Sequence, residues 1–400
     1  MINTMRNNNK SLLEEIKKVF GKYTHGDELS SFVRKIRSGG SKIGNSSEEA
    51  NAHLLTDQLI TFATEKLPIL EVLELLKDLG KVYILRGDFV LAADVTRAML
   101  AVALCDNRLL TPAANAFLSF SEVYLNQANW SEGITSLKKA YALFKKENDQ
   151  VGLARCESLL GTIYAEKGQL ATALDHFQKG YSFLRPSKSP FLVANFENNI
   201  GIVYNIQGEY DEAYTHFRRA LVYFEKIKNN ERVARVRHNI GMSLLKKKAF
   251  NAAVKEFDIS INLASKGNHL PMLALSYLGK ASIYCSTNDD SLAEAFADKG
   301  MEISAKIEDR LSIAEVYKIK GILERKRKHF ALAQNYLFSS LRINKELENE
   351  LNYAETAVEL GILSRENGNK AEAQKYFGDA LRYYKKIKAK DEIQKIKNFN

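Results

Sequence analysis

Little in this sequence points to reaction chemistry. Its three cysteines, Cys105, Cys156 and Cys285, stand far apart with no CxxC or Cys/His ligand spacing. That argues against a disulfide framework or a zinc site and fits a reducing compartment. Only five prolines occur (Pro68, Pro112, Pro186, Pro190, Pro271), which favours long uninterrupted helices. No run of eighteen apolar residues exists, so no membrane span is expected. The opening MINTMRNNNKSLLEEIKKVF lacks the apolar core of a secretory signal, and a cytoplasmic location is the expectation. GxxxxGK[ST], HExxH, GxSxG and EF-hand patterns are absent. SGGSK at 38–42 lacks P-loop spacing and reads as linker. The sequence therefore predicts no cofactor, no metal and no catalysis.

Charge and apolar content are ordinary. The formal net charge is +10, with 45% hydrophobic and 26% charged residues. Spread over 400 residues, the basic excess leans towards an acidic partner but falls short of a nucleic-acid signature. Two basic runs, Lys246-Lys247-Lys248 and Arg325-Lys326-Arg327-Lys328, fall at expected helix turns. No aromatic residues interleave with them as a base-stacking platform would need. His176 and His216 share one column of the repeat described next, which explains them better than metal binding does.

A forty-residue repeat dominates the chain. Gly161, Gly201, Gly241, Gly321 and Gly361 form one column, with Ala281 in the missing slot. Ala173, Ala213, Ala253, Ala293, Ala333 and Ala373 form another, followed by Phe177, Phe217, Phe257, Leu337 and Phe377. Tyr124, Tyr164, Tyr204 and Tyr284 form a fourth. Each unit reads as two amphipathic helices: Ile200, Val203 and Tyr204 share one face, and Phe217, Ala220, Leu221 and Phe224 the next. Gly208 is placed to end the first helix. The Gly and Ala columns allow two backbones to approach closely. One hairpin cannot bury its apolar face alone, so neighbours must stack and stability accumulates along the array.

The run Leu160-Gly161-x-x-Tyr164, then Gly168, Ala173 and Phe177, resembles the tetratricopeptide repeat in a forty-residue form. The resemblance implies an all-α fold, a right-handed superhelical solenoid of stacked helix-turn-helix units. It covers roughly 73–393, about eight units. Residues 1–47 read as short helices and a Gly/Ser linker, 48–72 as a leading helix and 394–400 as a C-terminal tail. Trp130 departs from a column held elsewhere by Leu170, Tyr210 and Phe250; Asp290 breaks that column, so the sixth unit should pack least typically.

The resemblance further implies a concave groove lined by the first helix of each unit. Arg155, Asn195, Asn198, Asn199, Asn205, Arg235, His238 and Asn239 stand at groove-facing positions. An Asn amide can pair with both the C=O and N–H of an extended peptide. Asn at this register is similar to the peptide-clamping repeats of kinesin light chains, animal polarity adaptors and bacterial pheromone-sensing regulators. The other reading, in which Asn199 and Asn239 bond between helices or face water, stays open. Lys318 and Arg325 add positive charge beside Leu278, Ile322, Val358 and Ile362, suited to a peptide with acidic and hydrophobic side chains. Of the carboxylate clamp found in chaperone-tail-binding repeats, only Asn199 and Arg235 match; Ser158 and Thr162 stand where Lys and Asn are needed. The expectation is an adaptor or sensor for a peptide or extended partner segment. Two other readings remain: a peptide-responsive bacterial regulator acting through its N-terminal helices, and a solenoid binding nucleic acid through its basic surface.

Overall fold

A computed structural model describes residues 14–23, 48–106, 108–184 and 189–399. The helical pattern at 28–37 and the linker at 38–47 lie outside these described residues. Among the described residues there are nineteen helices and no strand. A short α1 (14–20) and α2 (Glu48–Lys66) precede eight hairpins. These are α3/α4 (Ile69–Arg86, Phe89–Leu104), α5/α6 (Leu110–Asn126, Trp130–Lys146), α7/α8 (Gln150–Glu166, Leu170–Ser182) and α9/α10 (Pro190–Gln207, Tyr210–Lys226). They continue as α11/α12 (Asn230–Lys246, Phe250–Lys266), α13/α14 (Leu270–Ser286, Asp290–Lys306), α15/α16 (Arg310–Lys326, Phe330–Glu346) and α17/α18 (Glu350–Glu366, Lys370–Lys386). A last helix, α19 (Lys390–Lys397), closes the chain, with Phe399 stacked on Phe377 at 5.7 Å between ring centres.

The turns explain the period. A left-handed residue follows almost every helix at twenty-residue steps: Ala128, Asn148, Gly168, Gly208, Lys228, Lys248, and so on to Lys388. Each sits where the helix backbone must reverse, and its N–H closes the last turn, as Gly208 does onto Asn205 O at 3.2 Å. Two such half-units make the forty-residue repeat. Asp149, Asn229, Asp289, Asp309, Asn349 and Asn369 then cap the following helices by accepting a backbone N–H in the first turn.

Within a unit the glycine column is a steric requirement. A methyl group at Gly161 would lie 2.4 Å from the Phe177 ring, and one at Gly201 would lie 2.7 Å from Phe217. Gly361 stands in the same relation to Phe377 at 2.5 Å. The alanine column, Ala173 to Ala373, is buried throughout. The sixth unit packs by a different rule: Ala297 fills its aromatic slot, and Leu278 reaches across to cover Gly300.

First helices of successive units touch one another along the whole array, placing them on the inner side of the curve. The array then winds through more than one superhelical turn and meets itself. The Trp130 indole donates to the Leu347 carbonyl, and the Tyr383 hydroxyl donates to Gly168 O at 2.9 Å. Glu350 N bonds to Lys167 O at 3.3 Å, the Lys167 ammonium pairs with Glu348, and α13 rests on α3. The first two contacts join residues 217 and 215 apart, about five and a half units. Apolar cores cross this seam, Trp130 and Leu137 with Ile343 and Leu347, and Leu170 and Leu184 with Tyr383 and Ile387. The column that Trp130, Leu170 and Tyr210 occupy thus supplies apolar bodies that the next turn covers. The concave face becomes the wall of an axial channel rather than an open trough.

Candidate functional site

The asparagines form a ladder along the channel wall. Asn199 Nδ2 donates to Thr162 Oγ1 at 3.3 Å, Asn198 Nδ2 to Asn199 Oδ1 at 3.1 Å, and Asn239 Nδ2 to Asn198 Oδ1 at 2.8 Å. This links α7, α9 and α11, three consecutive first helices. Asn198 is 3% exposed, while Asn199, Asn239 and Asn195 are half-buried. Each ladder amide keeps an N–H and an oxygen lone pair beyond these bonds. One unit earlier, Arg155 donates to Asn115 Oδ1 at 2.7 Å. Asn205, at the far end of α9, has a shielded Oδ1 with no partner.

His238 has a different character. It is buried against Phe257, with ring centres 5.3 Å apart, and Ser276 Oγ lies 3.3 Å from its Nδ1. Burial, with the Arg235 charge behind it, pulls its pKa down to about 3, so the ring is neutral packing near pH 7.

Lys318 and Arg325 are held by the chain's own carboxylates. Lys318 lies between Glu315 at 2.7 Å and Glu355 at 2.6 Å. Arg325 reaches Glu359 at 3.2 Å and Glu366 at 2.7 Å. Glu355 also receives Lys246 at 3.2 Å, from three units away. Burial opposes the Glu355 charge, but Lys246 and then Lys318 outweigh it and hold the carboxyl well below the usual range. The two basic runs are likewise engaged. Lys247 pairs with Asp211 at 2.7 Å and Arg327 with Glu294 at 2.7 Å, while Lys326 lies 3.5 Å from Asp290.

Arg235, like Arg155, is not held by a carboxylate. No carboxylate among the described residues comes within ion-pairing distance of it, and its Nε is shielded and unbonded. Arg232, Glu231 and Glu166 act on it only through the field. Glu166 remains exposed within the channel, so the lumen there is open to solvent. His269 lies nearby, buried, with its Nδ1 unpartnered. Burial and the Arg235 charge bring its pKa to about 4.

His176 and His216 are repeat-register residues. Each Nδ1 sits 2.6 Å from a glutamate of its own unit, Glu157 or Glu197, with the ring stacked on Tyr164 or Tyr204. Among the described residues no cluster of His, Cys, Asp or Glu is placed to hold a metal ion, and no helix is long and apolar enough to cross a membrane.

Sequence reasoning passed over Glu355, Glu166 and His269. Glu355 meets Lys318 in the neighbouring unit and Lys246 three units back, Glu166 meets the field of Arg235 two units on, and His269 lies in a turn between units. The forty-residue period carries no sign of those encounters.

A tetratricopeptide-repeat family model matches residues 112–185 and 192–266. A comparison with curated protein sequences finds no match. Among solved structures, the chain is similar to the Rap conjugation gene regulator of plasmid pLS20, solved in complex with the Phr* peptide. That TM-score is 0.57 at 17% identity, covering 72% of this chain and 76% of the regulator. The APC/C subunit complex Cut9–Hcn1 gives 0.54 at 14% identity, over 88% of this chain and 60% of that one. NprR in complex with its cognate peptide NprX gives 0.50 at 13% identity, over 68% and 82%. At such identities the likeness is one of fold. The two matched stretches cover four of eight like hairpins, and the described residues have the fold of a tetratricopeptide-repeat solenoid with a forty-residue period.

Proposed function

We propose that the chain is a binding protein, an adaptor or sensor that takes a peptide or extended partner segment along the inner wall of its channel. The observation that carries this reading is the Thr162–Asn199–Asn198–Asn239 ladder across three first helices. A row of amides with unused donors and acceptors pairs with an extended backbone whatever its sequence, while neighbouring side chains select residues. The peptide complexes of the Rap regulator and NprR, which share the fold, support the same reading. The basic runs offer little free charge to nucleic acid because carboxylates of the chain already hold most of their members. The test is a pull-down from the native host with the native chain and with the Asn199→Ala/Asn239→Ala double variant. Loss of a partner with folding intact is expected; unchanged recovery rejects the ladder as the site.

A second reading, regulation through the N-terminal helices, draws on α1. Ile16, Val19 and Phe20 of α1 are buried in the core of the first unit, and Asn268, five units on, donates to Glu15 at 2.6 Å. One short helix thus touches both sides of the superhelical turn, and a change of pitch would move it. Small-angle scattering with and without a captured peptide tests this; an unchanged envelope contradicts it.

A further inference from the structure

The superhelix covers itself with two different edges. Its upper edge is built from the turn inside each unit and the first turn of each second helix, where Trp130 and Leu170 stand. Its lower edge is built from the turns between units, where Ile307, Leu347 and Ile387 follow second helices and Leu351 lies at the start of a first helix. The seam lays one edge on the other. Ile307 lies against Gly87, Leu347 shares a core with Trp130, and Ile387 and Leu351 share one with Leu170. Covered in this way, Trp130 is 5% exposed and Leu347 6%. The same columns reappear without such cover. On the lower edge, Ile227 stands three repeats before Leu347 and is 41% exposed, and Val151 stands five repeats before Leu351 and is 42% exposed. On the upper edge, Leu292 and Leu332, in the first turns of α14 and α16, are 40% and 43% exposed. Phe330, in the Trp130 register and two residues before Leu332, is half-buried. Single exposed apolar residues are ordinary on a protein surface. Here they repeat, on both edges, a pattern that the chain buries elsewhere against itself.

We propose that these two edges receive a second copy of this chain, joined head to tail. The lower edge of one copy, at Val151 and Ile227, rests on the upper edge of the next, at Leu292, Phe330 and Leu332, and the superhelix is prolonged. The seam itself shows what covers such an edge: the opposite edge of the same repeat. It does so with apolar side chains and a few bonds between turns, such as that from the Tyr383 hydroxyl to Gly168 O. A contact between copies continues that interface with the same side-chain types in the same register. Because the two edges differ, the contact is heterologous. A copy joined through its lower edge still offers its upper one, so association runs past the dimer. The edges lie apart from the asparagine ladder on the inner wall, so this assignment stands independently of the peptide reading.

The test is sedimentation velocity of the full chain over about a hundredfold range of concentration. Two double variants accompany it, Val151→Glu/Ile227→Glu for the lower edge and Leu292→Glu/Leu332→Glu for the upper. Each is checked for native thermal unfolding, and the corresponding serine variants replace any that melts early. The native chain is expected to grow with concentration beyond the mass of a dimer. Either variant alone should associate at least about tenfold more weakly, because glutamates on one edge leave no intact pair of edges between copies. An equimolar mixture of the two should form a dimer and nothing larger, since each supplies the edge that the other has lost. A native chain that stays monomeric throughout overturns the assignment. So does association that persists in both variants, or a variant mixture that forms no dimer while the native chain associates.

Discussion

Glu355 joins three units through Lys246 and Lys318, and replacing it with glutamine tests how much the channel's internal charge stabilises the closed turn. Glu355→Gln keeps the shape and removes the charge that Lys318 meets at 2.6 Å and Lys246 at 3.2 Å. Breaking a buried ion pair from one side typically costs 3–5 kcal/mol. Here Glu355 keeps 27% side-chain exposure and Lys318 retains Glu315, so channel water and the second carboxylate screen part of the loss. The expected destabilisation is about 2 kcal/mol. Units unfold semi-independently in such an array, so urea denaturation should be paired with hydrogen exchange. Protection should fall first in α11, α15 and α17. The pH dependence has a definite sign. The unfolded carboxyl titrates near 4.3 and the folded one lower, so its stabilisation is complete above the unfolded value and is lost as pH falls towards the folded one. The gap between native chain and variant should therefore be steady from neutral pH down to about 5 and narrow below about 4. A gap under about 0.5 kcal/mol at pH 7, or one that widens in acid, refutes the reasoning.

Two further outcomes follow from packing. Gly201→Ala drives a methyl to 2.7 Å from Phe217 and 3.2 Å from Ala213 O, and should cost about 1–3 kcal/mol by thermal or urea unfolding. Gly378→Ala, at a helical position with nothing within 4 Å, should stabilise by about 0.5–1 kcal/mol. Trp130 is the only tryptophan and its indole is shut into the seam, so native emission should be that of a buried, hydrogen-bonded indole. Tyr383→Phe removes the Gly168 bond at a cost of about 1 kcal/mol and should shift the emission to the red at lower urea than overall helix loss. Coincident transitions would mean that the seam does not open separately.

The repeat was legible because it is local. Gly161 with Phe177, and Gly201 with Phe217, are sixteen residues apart in one hairpin, and steric fit repeats the pair in four units, with Leu337 on Gly321 in a fifth. Gly208 as a helix end and the atypical sixth unit were legible for the same reason. The seam was not. Trp130 reads as an oddity in its column until Leu347, more than five units away, provides its acceptor. The inner-wall positions were chosen by analogy of register, and the first helices do line the inner side. What the register could not show is which of those residues have already found partners. Asn198 and Asn199 are bonded to each other, and Lys318 is enclosed between two glutamates. Arg235 is left over. That distinction depends on how tightly the superhelix winds, a sum of small rotations that no single unit encodes.

The central claim, an inner wall that binds an extended peptide, is tested most directly by photo-crosslinking. A benzophenone side chain is placed at Ile322 on the inner face of α15 or, separately, at Lys255 on the exposed face of α12, and a peptide captured by the native chain is added. Adducts at position 322 with none at 255 are the predicted result. Adducts confined to position 255 would put the ligand on the outer surface and contradict the account.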